Sequence, residues 1–281
     1  MTSKDLTIVI TTFKSEDKIE NCLNSIDSNI EVIVVENSSD VKFKKYLEDK
    51  FSNVVCELAN ENLGYGRANN LGLKRVKTKY SLILNPDSVL KKEAINNFFI
   101  FLKRKVNFAI LGPSQNINDL SEKANEYNHS DLKKTESIKG FAMFLNMEKF
   151  LDIGFFDENF FLYLEETDLC KRIKNQNENI YIDSNIEIFH YGGKSVSADF
   201  SHEIELTRNW HWMWSLFYYN KKHYNYFYAT LLVFPKVFSA LFKTLFYFFL
   251  NRKKKEIYGK RLGGLINSMI GRSSWYRPTL D

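Results

Sequence analysis

The stretch "LILNPDSVL", residues 82–90, joins an apolar run to a turn that carries Asn85 and Asp87 on either side of a proline. "YSLILN" (80–85) has no polar alternation, as expected of a strand covered on both faces rather than one with a wet side. Two oxygen-bearing side chains one residue apart suit a hard divalent cation, which keeps its other positions for water or phosphate oxygens. By itself, Asn-Pro-Asp is equally an ordinary turn signal.

Further runs of the same kind flank it. "LTIVITT" (6–12), "IEVIVVE" (30–36), "NVVCEL" (53–58) and "FAILG" (108–112) read as strands. Between them "DKIENCLNSI", "KFKKYLED", "GRANNLGLKRV" and "KEAINNFFIFLKR" read as amphipathic helices. Two-faced strands alternating with helices predict an α/β fold, a mostly parallel Rossmann-like sheet with helices on both faces. Ligands of such sheets bind beyond the carboxyl ends of the strands. That rule singles out Thr11 and Thr12, Glu36 to Asp40, and Asn85 to Asp87. "ENLGYGRANNLGL" (61–73) adds Gly64, Gly66 and Gly72, read as letting backbone approach a ligand at a helix start. It has neither the Walker lysine nor the dinucleotide-binding spacing.

"FFLYLEETDLCKR" (160–172) places carboxylates among aromatic and aliphatic side chains. Read as one helix, it puts Leu162, Glu165, Glu166, Leu169, Cys170 and Ile173 on a common stripe. Asp168 falls on the other side with Lys171 and Arg172, as in a surface ion pair worth a few tenths of a kcal/mol at most. Glu165 and Glu166 need another account, because a buried carboxylate neutralises, pairs or binds a metal unless it reaches water at the rim of the core.

The net charge of +5 conceals two different halves. Residues 206–281 hold 13 Lys/Arg against 2 Asp/Glu, and the remainder 26 against 32, so the tail carries +11 and the rest −6. All four tryptophans (Trp210, Trp212, Trp214 and Trp275) lie in this tail. The division predicts a domain over 1–205 and a helical region over 206–281. "YFYATLLVFPKVFSALFKTLFYFFL" (226–250) is apolar but broken by Pro235, Lys236 and Lys243, which disfavours a simple membrane span. With "NRKKK" (251–255) after it, the segment reads as a helix lying on an anionic membrane surface; a soluble helical subdomain or dimer interface is the other reading. No nucleic-acid-binding motif accompanies the charge. Three scattered cysteines predict neither a disulfide framework nor a zinc site, and hence a reducing compartment. The polar opening "MTSKD" has no signal-peptide pattern, so secretion is not expected.

Taken in order, "IVITTFKSEDKIENCLNSI", "VIVVENSSD", "ENLGYGRANNLGL", "LILNPDSVL", "KGFAMFLNMEKFLDIGFFDENFFLYLEETDLCKRI" and "IFHYGGKSV" resemble family 2 glycosyltransferases of the GT-A fold. Within them they resemble bacterial rhamnosyltransferase-like enzymes of O-antigen and cell-wall polysaccharide assembly. The resemblance covers roughly residues 6–200. It implies inverting transfer of a sugar, rhamnose foremost, from a nucleoside-diphosphate sugar (dTDP-rhamnose or a UDP-sugar) to a hydroxyl of a glycan or polyprenyl-diphosphate-linked acceptor. Thr11, Phe13 and Glu36, with Asn62, Arg67 and Asn69, would form the nucleotide pocket. Asp87, beside Asn85, would bind Mg²⁺ or Mn²⁺. His190 matches a position that touches metal or phosphate in some relatives, or else is a structural hydrogen-bonder. One carboxylate of the Glu165–Glu166 pair, Glu166 foremost, would be the general base. Three departures from the family pattern stand out. Asn85 takes the place of an acid, Glu36 takes the place of Asp, and Glu166 is one methylene longer than the usual residue. The implied setting is cytoplasmic, at the inner face of the cell membrane. The competing classes are a nucleotidyltransferase, for which "ITTFKSEDK" lacks a glycine-rich basic loop, and a non-catalytic nucleotide-sugar-binding or membrane scaffold protein.

Overall fold

The computed structural model describes residues 3–114, 131–192 and 201–278. The chain divides into two compact units: residues 1–156 with 169–197, and residues 157–168 with 198–281. The second unit thus takes in residues 157–168, which the sequence reading places within 1–205.

The first unit is built on an eight-stranded sheet. Its strands are β1 (Leu6–Thr12), β2 (Glu31–Glu36), β3 (Val54–Leu58), β4 (Tyr80–Leu84), β6 (Ile110–Gly112), β7 (Leu132–Thr135), β8 (Ala142–Asn146) and β9 (Ile180–Asp183). Their order is β3-β2-β1-β4-β8-β6-β9-β7. The first four are mutually parallel, β8 runs antiparallel to both neighbours, and β7 closes the far edge antiparallel to β9. Successive residues of the central strands face opposite sides, and both sides are buried. Ile8, Ile10, Val32, Val34, Leu82 and Leu84 enter one core, and Val9, Ile33, Val35 and Ile83 the other. This is the physical content of the unalternating sequence runs.

Helices α1 (Glu16–Asn24), α2 (Val41–Lys50), α3 (Gly64–Leu73) and α4 (Ala94–Lys103) occupy the predicted positions. Ile19, Cys22, Leu23, Phe43, Leu47, Phe98 and Phe101 join the first core, while Ala68 and Leu73 of α3 join the second. Gly64 opens α3 at φ +76°, a conformation that favours glycine. Gly72 serves packing and not a ligand: a Cβ there would lie 2.5 Å from Val9 Cγ1. Two short strands, β5 (Ser88–Leu90) and β10 (Ile188–His190), form a separate antiparallel ribbon in which His190 faces Ser88.

Two further helices are α5 (Phe150–Ile153) and α6 (Glu165–Asn175). The first turn of α6 belongs to the second unit, and the rest, with Leu169, Cys170 and Ile173 in a core, to the first. Because α6 starts at Glu165, Leu162 precedes the helix and the single stripe expected from the sequence is shorter.

The second unit consists of residues 157–168 and helices α7 (Ser201–His223), α8 (Tyr226–Phe246) and α9 (Arg252–Met269). Asn225 and Asn251 cap α8 and α9 by accepting from the Tyr228 and Lys254 amides at 2.8 and 2.9 Å. Met213, Phe217, Ala229, Val233 and Leu265 form its apolar core. His211 is sealed on α7 between the Tyr276 carbonyl (2.7 Å) and the Ser274 hydroxyl (2.8 Å), and burial pushes its pKa down to about 3, so it stays neutral.

Asp168 corrects the sequence reading. It is fully buried, not on the surface, and its Oδ1 lies 2.6 Å from Lys222 Nζ and 2.8 Å from His223 Nε2. Lys222 also reaches Asp157 Oδ2 at 2.7 Å, where the Tyr218 hydroxyl donates at 3.0 Å. Arg172 donates instead to the carbonyls of Ile153, Gly154 and Phe155. The sequence could not reveal the pairing because the partners are more than fifty residues away. Removing one partner of a buried ion pair leaves an uncompensated charge. Lys222→Met is therefore expected to lower stability by about 2 kcal/mol, since His223 remains on Asp168; a shifted urea midpoint at unchanged slope checks it.

Candidate active site

In the first unit the predicted residues collect at the carboxyl edge of the parallel strands. The register places Thr11 beside Val35 and Thr12 beside Glu36, and β4 runs beside β1 from Tyr80 to Leu84. Asn85 to Asp87 therefore leave the sheet at the edge where β1 and β2 end.

Asp87 is buried, and neither of its carboxylate oxygens accepts a hydrogen bond among the described residues. His190 Nε2 lies 3.2 Å from Asp87 Oδ1, close enough for an ion pair but outside hydrogen-bond geometry. The imidazole is held flat against Phe141, with ring centroids 4.7 Å apart and planes 9° apart, and Asn85 Nδ2 is 3.4 Å from Nε2. The β5–β10 ribbon explains the meeting, for it sets His190 opposite the residue after Asp87, and the Tyr191 amide donates to the Asp87 carbonyl at 3.1 Å. No group of three or more His, Cys, Asp or Glu side chains suited to a metal exists among the described residues. Asp87 and His190 thus offer one or two protein ligands. That fits a cation which takes its remaining oxygens from phosphate and water, not an all-protein cage.

The other predicted residues divide into committed and uncommitted groups. Glu36 accepts from the Ser38 amide (2.9 Å), the Ser38 hydroxyl and the Asp40 amide (2.6 Å), so its carboxylate holds the turn after β2. Asn62 accepts from Asn37 Nδ2 and the Gly64 amide, both at 3.1 Å, and stabilises the entry to α3. Arg67 makes a long, exposed contact of 3.8 Å with Glu61. Asn69 is buried and donates to the Tyr65 carbonyl at 2.9 Å, but its Oδ1 has no donor among the described residues, and nor has Thr11 Oγ1. Phe13 is half-buried, and its amide donates to Ser15 Oγ at 3.3 Å. Asn37 was missed. It ties two loops together by donating to Asn62 and accepting from the Leu63 amide at 2.8 Å. Its place at the end of β2 was the available signal. The Gly193–Val196 end of the motif that contains His190 lies outside the described residues.

In the second unit Glu165 and Glu166 occupy the first turn of α6. Tyr163 and Leu164 just before them have φ of +71° and +68°, a strained conformation for such residues. Glu165 is buried, with Oε2 lacking a donor among the described residues. Burial above all, then the neighbouring Glu166 charge, raises its pKa well above the carboxylate range; burial also raises that of Glu166. Backbone amides at the helix start oppose both shifts without cancelling them.

The sequence profile of glycosyl transferase family 2 matches residues 7–171. The chain is 27% identical over 199 residues to the low-salt glycan biosynthesis hexosyltransferase Agl10 of Haloferax volcanii, covering 63% of this chain and 64% of that one. It therefore spans less than two thirds of that relative's length. It is 22% identical over 229 residues to the rhamnosyltransferase WbbL of Escherichia coli K12, covering 69% and 86% of the two chains. Among solved structures, the mannosyltransferase PcManGT of Pyrobaculum calidifontis, determined with GDP-Man and Mn²⁺, superposes with a TM-score of 0.55 at 12% identity, over 94% of this chain and 87% of that one. Staphylococcus aureus TarS gives 0.52 at 14% identity, over 73% and 39%. These likenesses carry the fold, a GT-A-like, mostly parallel sheet followed by helices. With the profile running from β1 into α6, the chain belongs to glycosyl transferase family 2.

Proposed function

We propose that the protein transfers a sugar, with inversion, from a nucleoside-diphosphate sugar to an acceptor hydroxyl. The observation that carries this reading is Asp87: a buried carboxylate without a hydrogen-bond donor among the described residues, at the edge where sheets of this kind bind ligands. Thr11 and Asn69 present uncommitted polar atoms for the nucleotide, and the half-buried Phe13 ring a stacking face. When bound, Mg²⁺ or Mn²⁺ would be held by Asp87 with His190 beside it, and would stabilise the charge gathering on the departing diphosphate. The acceptor oxygen bonds to the anomeric carbon as the bond to the diphosphate oxygen breaks, and the leaving group keeps that electron pair. The acceptor proton passes to a carboxylate of the Glu165–Glu166 pair, Glu166 being the less buried and favoured. A raised pKa makes a carboxylate a stronger base near neutral pH.

Rhamnose, from dTDP-rhamnose or a UDP-sugar, is the favoured donor by likeness to WbbL, and a surface glycan or its polyprenyl-linked precursor the favoured acceptor. The roles of residues 1–205 and 206–281 divide accordingly into catalysis and membrane attachment. Helix α8 is 21 residues long and apolar enough, by length and composition, to cross a membrane, despite the two lysines. It turns Phe227, Leu231, Phe234, Phe238, Phe242 and Leu245 to solvent at helical spacing. Lys236 and Lys243 lie off this stripe, and Lys243, Lys254 and Lys255 rest over the rings of Tyr258, Tyr247 and Phe248. Charge beside an uninterrupted apolar stripe suits a helix lying in the headgroup region of the inner leaflet.

Asp87→Ala is expected to lose nucleotide binding in Mn²⁺ while keeping its melting temperature within a few degrees; calorimetric titration with UDP and dTDP checks it, and wild-type affinity would remove Asp87 from the site. Glu166→Gln should lower transfer by about 10²–10⁴ and leave nucleotide binding intact, whereas a dead Glu165→Gln beside an active Glu166→Gln would reverse the assignment. The raised pKa of Glu165 gives a signed stability test. The folded form holds its proton more tightly than the unfolded chain, so stability is greatest below the ordinary carboxylate pKa and falls as pH rises through the raised value. Glu165→Gln should therefore melt above wild type at neutral pH, and the difference should vanish near pH ~4. For α8, the protein should float with anionic vesicles, and Phe234→Ser with Phe238→Ser should greatly reduce flotation; equal flotation would leave an interface between copies as the use of that face.

A further inference from the structure

Beyond the end of α9 the chain lies along α7. The Trp214 indole donates to the Arg272 carbonyl at 3.0 Å, and the rings of Trp275 and Tyr276 pack on Trp210. His211 joins this segment through both ring nitrogens. A carbonyl can only accept, so Nε2 carries the proton and donates to Tyr276, while Nδ1 accepts from the Ser274 hydroxyl. Holding α7 to α9 does not require these contacts. The two helices already meet at Gly264, where a Cβ would lie 2.2 Å from the Trp210 carbonyl oxygen, and at Ser268, which donates to the Trp214 carbonyl at 2.9 Å.

Arg277 carries the segment onto residues 157–168 of the same unit. Its Nη1 donates to the Ser274 and Tyr276 carbonyls at 2.8 and 3.0 Å, which fixes the guanidinium. Cζ then stands 3.8 Å from the centroid of the buried Phe161 ring. The His211 ring packs on Phe161 as well, with centroids 4.4 Å apart and planes 30° apart. Phe161 is therefore gripped by two groups, each tied to Ser274 and Tyr276. A guanidinium over an aromatic face is held by the ring quadrupole, most strongly where water is excluded. Phe161 comes two residues before Tyr163, the first residue at positive φ, and four before Glu165. Lys222 and Ser215 restrain the segment at Asp157, Leu162 and Asp168, and Arg277 with His211 restrains the side chain between them. We propose that Arg277 is a positioning residue: seated on Phe161 beside His211, it holds the turn that carries Glu165 and Glu166 in its positive-φ form. The catalytic consequence rests on the transferase reading; the restraint on the turn does not.

The sign of one shift separates positioning from charge. Removing a nearby cation by itself raises a carboxylate's pKa, whereas loosening the turn admits water to Glu165 and lowers it. Carbon-13 carboxyl NMR of the full chain labelled at glutamate reads this directly, with Glu165 identified by the signal lost in Glu165→Gln. In Arg277→Ala the Glu165 titration should move down by about one pH unit, toward the ordinary carboxylate range. It should stay in place in Arg277→Lys, which keeps a cation for the ring, and in Arg272→Ala, which removes an exposed charge from the same segment. A Glu165 titration unmoved or raised in folded Arg277→Ala overturns the proposal. Donor hydrolysis is the second readout: water takes the place of the acceptor, and UDP or dTDP is released from UDP-glucose or dTDP-rhamnose in Mn²⁺. Arg277→Ala should lower kcat by ~10²-fold at unchanged KM, as a misplaced base would, and Arg277→Lys should recover most of it. An active wild type whose kcat survives Arg277→Ala also overturns the proposal and leaves the transferase. The downward NMR shift in a protein that neither binds UDP or dTDP nor hydrolyses either donor keeps the restraint on the turn and removes the transferase.

Discussion

Asp168 is the constraint on which the turn before Glu165 depends. A buried carboxylate neutralises, pairs or binds a cation, and for Asp168 α7 supplies Lys222 and His223 to the same oxygen. Lys222 also bridges to Asp157, so both ends of the 157–168 segment are fixed to one turn of one helix. Ser215 strengthens the middle, donating to the Leu162 carbonyl at 2.9 Å. Only with its ends pinned in this way can the segment hold Tyr163 and Leu164 at positive φ, a conformation each would leave if free. The ion pairs are thus not a stability device first; they fix where the first turn of α6 begins.

The first unit uses polar groups in the opposite manner. At the strand ends, Glu36, Asn37 and Asn62 are consumed in turning the chain, each bonded to loop amides or to one another. Thr11 and Asp87 are left with unmatched oxygens at the same edge, and Asn69 of α3 with another. A rigid loop frame around uncommitted acceptors is what a site needs if it is to exchange ligands without rebuilding itself. Unmatched buried oxygens also occur elsewhere, at Ser81 and Asn146 for example, so it is the convergence at one sheet edge that carries meaning.

Whatever depends on neighbours in sequence was legible. The parallel strands and the four helices between them follow from local apolar runs, and the position of Asp87 follows from a strand ending in a turn. Long-range partners were not legible. The antiparallel strand β8 separates β4 from β6, although "AMFLN" resembles any buried run and carries no sign of direction. The ribbon that brings His190 to Asp87 pairs segments about a hundred residues apart. Asp168 was misplaced for the same reason, its partners lying beyond residue 220. Gly72 was misread because a glycine that admits a ligand and one that admits a valine look alike in sequence, and only the Val9 contact separates them.

Glu165 and Glu166 show how these constraints meet in chemistry. Burial favours a proton on each of these adjacent carboxylates, and the Glu166 charge favours it further on Glu165. The start of α6 limits how far this goes, since its free amides favour negative charge and oppose both shifts. A carboxylate alone in water is too weak a base to take a proton from an attacking hydroxyl, and one sealed in an apolar core would never ionise. Buried side chains around a helix N-terminus lie between these limits. The geometry that creates the intermediate condition is the strained turn, and the turn is held by the buried charge on Asp168.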